Sequence, residues 1–234
     1  MEGKFTGAML RILGRLGADA TLMAVLLFTS AGTLVWLRGW VLLGVLFGVR
    51  IISAVVVYAV NPALLRERSK LPIHRDQPWT DKLLLLGVLG TGFLGLPVIA
   101  ACDVFRWHLL PRPTPPVAAL GLVLFTLGWC IKALALRANA FATAVVRVQH
   151  ERHHAVVDTG VYKVVRHPFY AADPMVFVGL ALWLESYTAA LCAIVPIALV
   201  MARLTAEERF LRRELPAYDE YARRVRYRLL PGVW

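Results

Sequence analysis

The stretch that decides the fold is Ala171–Met201, AADPMVFVGLALWLESYTAALCAIVPIALVM. It contains two apolar runs, Ala171–Leu184 and Tyr187–Met201, which are separated by the polar pair Glu185-Ser186. A helix rises about 1.5 Å per residue, so each run alone is marginal for crossing about 30 Å of hydrocarbon. We therefore predict a helical hairpin whose two open ends lie on the same side of a membrane.

Upstream of the hairpin the chain carries four longer apolar stretches, each of about 20 residues and able to span a bilayer. These stretches are Ala18–Leu37, Val41–Val60, Leu83–Cys102 and Val117–Leu136. The amphipathic segment Phe5–Leu16 precedes them, either as a helical extension of the first span or as an interfacial anchor. We predict an all-α integral membrane protein with four transmembrane helices plus a C-terminal helical hairpin. Residues 1–136 form the transmembrane region, and 137–234 form a cytosolic loop, the hairpin and a tail.

Composition and charge support a membrane protein with basic loops. Of the 234 residues 59% are hydrophobic and 18% are charged, and 26 Lys and Arg against 15 Asp and Glu give a net charge of +11. Disorder requires low hydrophobicity, and a nucleic-acid-binding domain would explain the charge but not the apolar excess. Lys and Arg concentrate in segments 61–82 and 132–170 and in the tail from 203. We therefore place segments 61–82 and 137–170, the tail and both termini in the cytosol.

Two polar blocks, Asn139–Asp173 and Arg203–Trp234, flank the hairpin. If the ends of the hairpin meet, the two blocks meet as well. That arrangement places three residues of the first block near three of the second, namely Arg166, His167 and Tyr170 near Arg203, Glu207 and Glu208. Adjacent helical residues point about 100° apart, so we expect one glutamate to face a pocket and the other to meet solvent or an arginine.

Metal and nucleotide motifs are not evident in these blocks. Four of the six histidines lie in the first block, His150, His153, His154 and His167, but no second ligand cluster accompanies them. Cysteines 102, 130 and 192 form no CxxC or Cys/His zinc pattern. We find no GxSxG or P-loop motif and no GxGxxG that follows a strand, so a nucleotide-like cofactor would bind in a non-Rossmann manner. We therefore predict no bound metal.

The spacing of the polar residues resembles a known family. The signature runs His154-x5-Gly160-x-Tyr162-x3-Arg166-His167-Pro168-x-Tyr170, then Arg203-x3-Glu207-Glu208-x2-Leu211, then Tyr218-x2-Tyr221-x2-Arg224-Val225 and Leu230-Pro231-Gly232. It is similar to the isoprenylcysteine carboxyl methyltransferases in their compact prokaryotic form. The resemblance covers about residues 139–234, and Asn61-Pro62 with Arg66-x-Arg68 resembles a second family segment more weakly.

The resemblance implies a membrane enzyme that transfers a methyl group from S-adenosylmethionine to the carboxylate of a lipophilic or lipidated substrate. It implies a cytosol-facing cofactor pocket formed by the loop before the hairpin and the tail. The residues expected to bind the cofactor are Gln149, His154, Tyr162, His167, Pro168, Tyr170 and Glu208. The residues expected on the reacting side, as catalytic residues, are Arg166, Arg203 and Glu207. The two arginines would lie toward the reacting carboxylate or brace the pocket.

Physical chemistry agrees with this expectation. Aromatic faces stabilise a sulfonium cation, and an arginine orients a carboxylate that is already ionised at neutral pH. The family usually has a glycine soon after the residue matching Tyr170, whereas Ala171-Ala172-Asp173 follows here. Asp173 stands at the start of a membrane leg, and an ionisable residue in that position indicates function.

Three alternatives remain: a phospholipid or amine N-methyltransferase with Glu207 or Asp173 as base, an NADPH-dependent sterol-type reductase, and a non-enzymatic scaffold or carrier.

Overall fold

The computed structural model describes residues 2–68, 77–143 and 155–234, and in these ranges the regular structure is helical. A 3₁₀ turn, Gly160–Lys163, precedes the seventh α-helix, and two π-helical segments, Leu89–Gly95 and Asp103–Trp107, follow the fourth and fifth. The α-helices are α1 (Glu2–Ala31), α2 (Leu37–Val60), α3 (Pro62–Arg68), α4 (Trp79–Val88), α5 (Leu96–Cys102), α6 (Pro115–Ala138), α7 (Pro168–Ala171), α8 (Asp173–Trp183), α9 (Tyr187–Cys192), α10 (Ile194–Glu214) and α11 (Tyr218–Arg224).

Five helical stretches within the described residues are long and apolar enough to cross a membrane. They are Met9–Ala31, Leu37–Val60, Trp79–Trp107, Pro115–Ala138 and Tyr187–Glu214. The shorter apolar stretch Pro168–Trp183 lies between the last two. The predicted all-helical class is confirmed over the described residues, and the apolar stretches suggest a multi-pass integral membrane protein.

The ends of the first and third spans differ from the sequence prediction. The first span ends at Ala31 rather than Leu37, because Gly32 adopts a positive φ of 73° that terminates the helix. Helix α1 is continuous from Glu2, which agrees with the interpretation of the amphipathic segment as a helical extension. The third span runs through two π-helical segments, and Pro97 removes a backbone donor just beyond the first of them.

The second leg of the expected hairpin is also longer than predicted. Helix α10 continues past Met201 to Glu214, so the leg Tyr187–Glu214 has 28 residues rather than 15. Arg203 and Glu208 lie buried on this extension and are tolerated there because each has oppositely charged partners. Residues 203–214 of the second polar block are therefore helical, and the helix sets the directions of their side chains.

Helices α6 and α8 pack closely through glycines. A Cβ at Gly179 would lie 2.5 Å from the backbone nitrogen of Phe125 and 2.7 Å from the oxygen of Gly121. A Cβ at Gly128 would lie 3.0 Å from the oxygen of Ala172. Small residues allow helix backbones to approach in this way in membranes. This contact fixes the start of α8, and with it the residues just before it, against α6.

The connection between α8 and α9 is held by polar contacts. The Ser186 hydroxyl donates to Asp103 at 2.7 Å, and both side chains are buried. Arg38 pairs with Glu185 at 3.1 Å and donates to the carbonyl of Trp183 at 3.2 Å. These bonds fix the end of α8 and the connection that follows it.

Candidate active site

A cavity of about 640 Å³ lies between the polar blocks and the membrane-spanning helices. Its volume falls in the range of pockets that bind drug-sized ligands. Tyrosine, histidine and carboxylate side chains form one wall, which we call the polar wall: Tyr162, His167, Tyr170, Glu207 and Tyr218. Aliphatic side chains of α1, α2 and α4 form another part of the lining, which we call the apolar wall: Ile12, Leu16, Ala54, Val57, Leu85 and Val88. The cavity is therefore amphipathic.

Helices and a turn position the polar wall. Tyr162 lies on the 3₁₀ turn, Tyr170 on α7, Glu207 on α10 and Tyr218 on α11. The Tyr170 hydroxyl donates to the Glu207 carboxylate, which ties α7 to α10. The Tyr218 hydroxyl lies 3.3 Å from His167 Nε2. Each of these contacts joins the first polar block to the second.

Arg166 holds the C-terminal segment, residues 215–234, against the start of α7. Its Nη1 donates to the carbonyls of Val225 and Arg226, both at 2.8 Å. Its own backbone N–H donates to Tyr227 at 2.9 Å, and the next residue, His167, donates its N–H to Arg228 at 2.9 Å. Arg166 lines the cavity, but its Nη1 hydrogen bonds are made to the backbone of the C-terminal segment.

Glu208 is surrounded by arginines. Its carboxylate accepts from Arg166 Nη2 at 3.1 Å, Arg212 Nη2 at 3.1 Å and Arg228 Nε at 2.7 Å. The Glu208 side chain is 4% exposed. It is not among the residues that line the cavity, whereas Glu207 is. The two adjacent glutamates thus point to different surroundings, one to the cavity and the other to arginines.

Arg203 is also paired. Its Nε donates to Asp81 on α4 at 2.8 Å, and Asp81 in turn accepts from Gln77 at 2.5 Å. The guanidinium carbon of Arg203 lies 6.0 Å from the ring centre of Tyr170. Arg203 therefore lines the cavity beside the polar wall with its charge balanced by Asp81.

Burial keeps several polar-wall groups uncharged at neutral pH. Burial lowers the pKa of His167 to about 4, an effect that the nearby Glu208 carboxylate only partly opposes. Burial likewise raises the pKa of Tyr162 to about 12, and it raises the pKa values of Tyr218 and Tyr221 above their ordinary value. Near pH 7 the imidazole and these phenols are neutral, and Glu207 supplies the carboxyl group of the polar wall.

Two ion pairs line the cavity where the membrane-spanning helices bound it. Lys132 on α6 pairs with Asp173 on α8 at 2.8 Å, and both side chains are at most 5% exposed. Lys132 also donates to the Phe169 carbonyl at 3.2 Å and lies 3.7 Å from the centre of that ring. Arg50 pairs with Asp19 at 2.7 Å. The unusual Asp173 thus has a cationic partner.

Most of the sequence-predicted site residues come together here. Those that line the cavity are Tyr162, Arg166, His167, Tyr170, Arg203 and Glu207. Glu208 pairs with Arg166, and Pro168 is buried at the start of α7 without lining the cavity. Gln149 and His154 lie outside the described residues. Among the described residues no group of three or more His, Cys, Asp or Glu side chains is placed to hold a metal ion.

Asp81, Arg68 and Tyr218 also contribute to the site, although they were not predicted to do so. Tyr218 was visible in the tail motif, and Arg68 in the weaker second segment. Lys132 was visible as a cation near the end of an apolar stretch, which is itself a signal of function. Asp81 lies 122 residues from Arg203 and carries no local signal.

Part of the chain is similar to a known family. Residues 117–217, from α6 to the end of α10 and slightly beyond, match the phospholipid methyltransferase family model. This stretch contains four of the five polar-wall residues.

Individual relatives are more specific. The chain is 33% identical over 119 residues to a probable protein-S-isoprenylcysteine O-methyltransferase of Oryza sativa subsp. indica, and this alignment covers 47% of the chain and 59% of the relative. It is 30% identical over 112 residues to protein-S-isoprenylcysteine O-methyltransferase B of Arabidopsis thaliana, an alignment that covers 47% of the chain and 57% of the relative. It is 32% identical over 112 residues to a nickel-cobalt-cadmium resistance protein of Alcaligenes xylosoxydans xylosoxydans, with 47% of the chain and 46% of the relative covered. The predicted resemblance to isoprenylcysteine methyltransferases is confirmed, and the chain spans a little over half the length of the two plant relatives.

Proposed function

We propose that this protein is an integral membrane methyltransferase that uses S-adenosylmethionine to methylate the carboxylate of a lipophilic, isoprenylcysteine-like acceptor. The observation that carries the proposal is the amphipathic cavity, because its polar wall suits a charged, nucleoside-containing cofactor and its apolar wall suits a lipid tail. The names of the plant relatives support the same chemistry.

The donor set of the polar wall fits the cofactor. S-adenosylmethionine supplies a methyl group on a sulfonium cation. Three tyrosines, Tyr162, Tyr170 and Tyr218, offer aromatic rings of the kind that attract cations, and Glu207 offers a carboxylate for an ammonium or ribose hydroxyls. His167 does not repel the sulfonium, since its low pKa keeps the ring neutral near pH 7.

The remaining residues would orient and shield the reacting groups. A carboxylate acceptor is ionised near pH 7 and needs no general base. Positioning and exclusion of water then supply the rate enhancement. Arg166 and Glu208 contribute by holding the C-terminal segment over the polar wall, a positioning role. The catalytic region is proposed as 137–234, with α1 to α6 supplying the acceptor side.

N-methylation of a phospholipid or other amine is the second candidate. The match to the phospholipid methyltransferase model favours it. A neutral amine acceptor must lose a proton during transfer, and Glu207 in the cavity is a carboxylate that can accept one. The Tyr170 hydroxyl, which donates to Glu207, would hold that carboxylate in place.

Two measurements test the proposal. Calorimetry on the purified protein should show S-adenosylmethionine binding that Glu207→Gln weakens, while Glu220→Gln, an exposed glutamate on α11, leaves it unchanged. Transfer of a labelled methyl group into an S-prenylated N-acetylcysteine should give a base-labile ester. A base-stable product in a phospholipid extract would favour N-methylation instead. Binding of NADPH without any response to S-adenosylmethionine would refute both candidates.

We also propose that both termini face the cytosol, as the distribution of Lys and Arg indicates. Protease-cleavable tags at each end should be cut from the cytosolic side in sealed vesicles. Protection of either tag from that side would contradict the proposed orientation.

A further inference from the structure

The cavity is lined by several cations, and most of them are paired with a carboxylate. The pairs are Arg166 with Glu208 at 3.1 Å, Arg203 with Asp81 at 2.8 Å, Lys132 with Asp173 at 2.8 Å and Arg50 with Asp19 at 2.7 Å. A cation whose charge is already balanced by a close carboxylate attracts a further anion weakly. These four residues include Arg166 and Arg203, the two arginines that the family resemblance places on the reacting side.

Arg68, the last residue of α3, differs from them. It lines the cavity and is partly buried, and its Nη1 donates to the carbonyl of Ala142 at 2.8 Å. Within residues 2–68, 77–143 and 155–234 it forms no ion pair with a carboxylate. A guanidinium has five N–H donors in a planar fork that matches a carboxylate, so Arg68 keeps donors for a ligand.

The surroundings of Arg68 join the two walls of the cavity. One turn earlier on α3, Leu64 and Leu65 are buried in an apolar cluster with Ile12, Leu16, Ala54 and Val57, four residues of the apolar wall. The Arg68 guanidinium carbon itself lies 5.8 Å from the ring centre of Phe169. Phe169 lies between His167 and Tyr170 of the polar wall.

We propose that Arg68 binds the carboxylate of the methyl acceptor and thereby selects acidic acceptors. This inference rests on the proposed function and names the residue that recognises the substrate. An acceptor with its apolar tail along α1 and α2 would carry its carboxylate past Leu64 and Leu65 to Arg68, beside the polar wall. A bidentate guanidinium–carboxylate contact fixes orientation as well as position.

Neighbouring charge strengthens the attraction for an anion. Burial, together with the nearby Arg50 and Arg15 guanidinium groups, lowers the pKa of Arg68 to about 10, so the group still carries its charge at neutral pH. Arg15 donates to the backbone oxygen of Arg68 at 3.4 Å, which keeps a second guanidinium close. An anionic ligand in this place offsets the mutual repulsion of these arginines.

Equilibrium binding to the full chain in lipid nanodiscs tests the proposal without relying on turnover. The two probes are N-acetyl-S-prenylcysteine, which has a free carboxylate, and its methyl ester, which has none. The wild type should prefer the acid. Arg68→Gln should lower affinity for the acid roughly 10- to 100-fold and leave the ester unchanged, the effect expected for loss of a charged hydrogen bond. Arg66→Gln, an exposed neighbour on the same helix, is the matched control and should bind both probes as the wild type does.

Each outcome is decisive. Retention of the acid preference by Arg68→Gln, or the lack of a preference in the wild type, overturns the assignment. Weaker binding of S-adenosylmethionine with an unchanged acid preference would assign Arg68 to the cofactor's own carboxylate and also overturns it. Arg68→Lys, which keeps the charge without the fork, should retain part of the preference and covers the case in which the glutamine variant misfolds. Failure of the wild type to bind S-adenosylmethionine would refute the proposed function separately, because acid binding is measured without the cofactor.

Discussion

Replacing Glu208 with alanine should release the C-terminal segment from the start of α7. The change leaves Arg166, whose side chain is 6% exposed, without its carboxylate. Breaking a buried ion pair by removing one partner costs about 3–5 kcal/mol. The other two partners of Glu208, Arg212 and Arg228, are 43% and 33% exposed, so each adds at most about 1 kcal/mol. We therefore expect a loss of about 4 kcal/mol in the local stability of this segment.

Hydrogen exchange read by mass spectrometry measures this loss where it occurs. The amides of Arg166 and His167 donate to the carbonyls of Tyr227 and Arg228, so their protection reports whether the segment is docked. Because about 1.4 kcal/mol corresponds to a tenfold change in an equilibrium constant, their exchange should accelerate roughly a thousandfold in Glu208→Ala. Cofactor affinity should fall with it, since the polar wall loses its support.

The control for this experiment is Arg212→Ala, which removes an exposed partner of the same carboxylate and should change the protection less than tenfold. Unchanged amide protection in Glu208→Ala, together with a loss of cofactor binding, would refute the reasoning. That result would mean that Glu208 contacts the cofactor directly, as the sequence resemblance implied.

Three further predictions concern packing, pH and the buried ion pair. Gly179→Ala should lower the melting temperature sharply because its Cβ meets backbone atoms 2.5 Å away, whereas Gly44→Ala, with open space around it, should not. Burial holds the pKa of His167 at about 4 against 6.5 in an unfolded chain, so its stabilising contribution is complete above about pH 6.5 and is lost as the pH falls toward 4. Melting temperatures measured from pH 7.5 to 4.5 should therefore fall more in the wild type than in His167→Gln, and parallel curves would contradict this. Lys132→Met should destabilise the fold by about 3–5 kcal/mol by stranding Asp173, and adding Asp173→Asn should recover part of the loss; equal melting temperatures for the single and double variants would argue against the pair.

The spans were predictable because apolar length is a strong local signal, but their ends were not. Trp36 falls in the last turn of the predicted first span, Ala18–Leu37. In the structure it lies beyond the end of α1, is 6% exposed and packs edge-on against Phe105. Helix α10 extends past Met201 because buried charges beyond it are paired, and a hydropathy pattern does not register such pairing.

The residues of the site were predictable as a group, while their division of labour was not. Spacing along α10 predicted that Glu207 and Glu208 diverge, but the resemblance assigned Glu208 to the cofactor, and its three arginine partners come from positions 166, 212 and 228. Arg203 was expected on the reacting side, but its pairing with Asp81 was not predictable because Asp81 lies far away in sequence. The role of Arg68 was not predictable from the sequence, because it depends on which other cations of the cavity are paired with carboxylates.

The glycine contact between α6 and α8 has a consequence for how the protein can change over time. Both helices, and most of the polar wall, lie in the stretch that matches a methyltransferase family, whereas the apolar wall comes from α1, α2 and α4 outside it. Mutational drift in α1, α2 and α4 can therefore reshape the apolar wall while the α6–α8 contact preserves the polar wall. Swapping α1–α4 between homologues is thus a route to new specificity that leaves the polar wall unchanged.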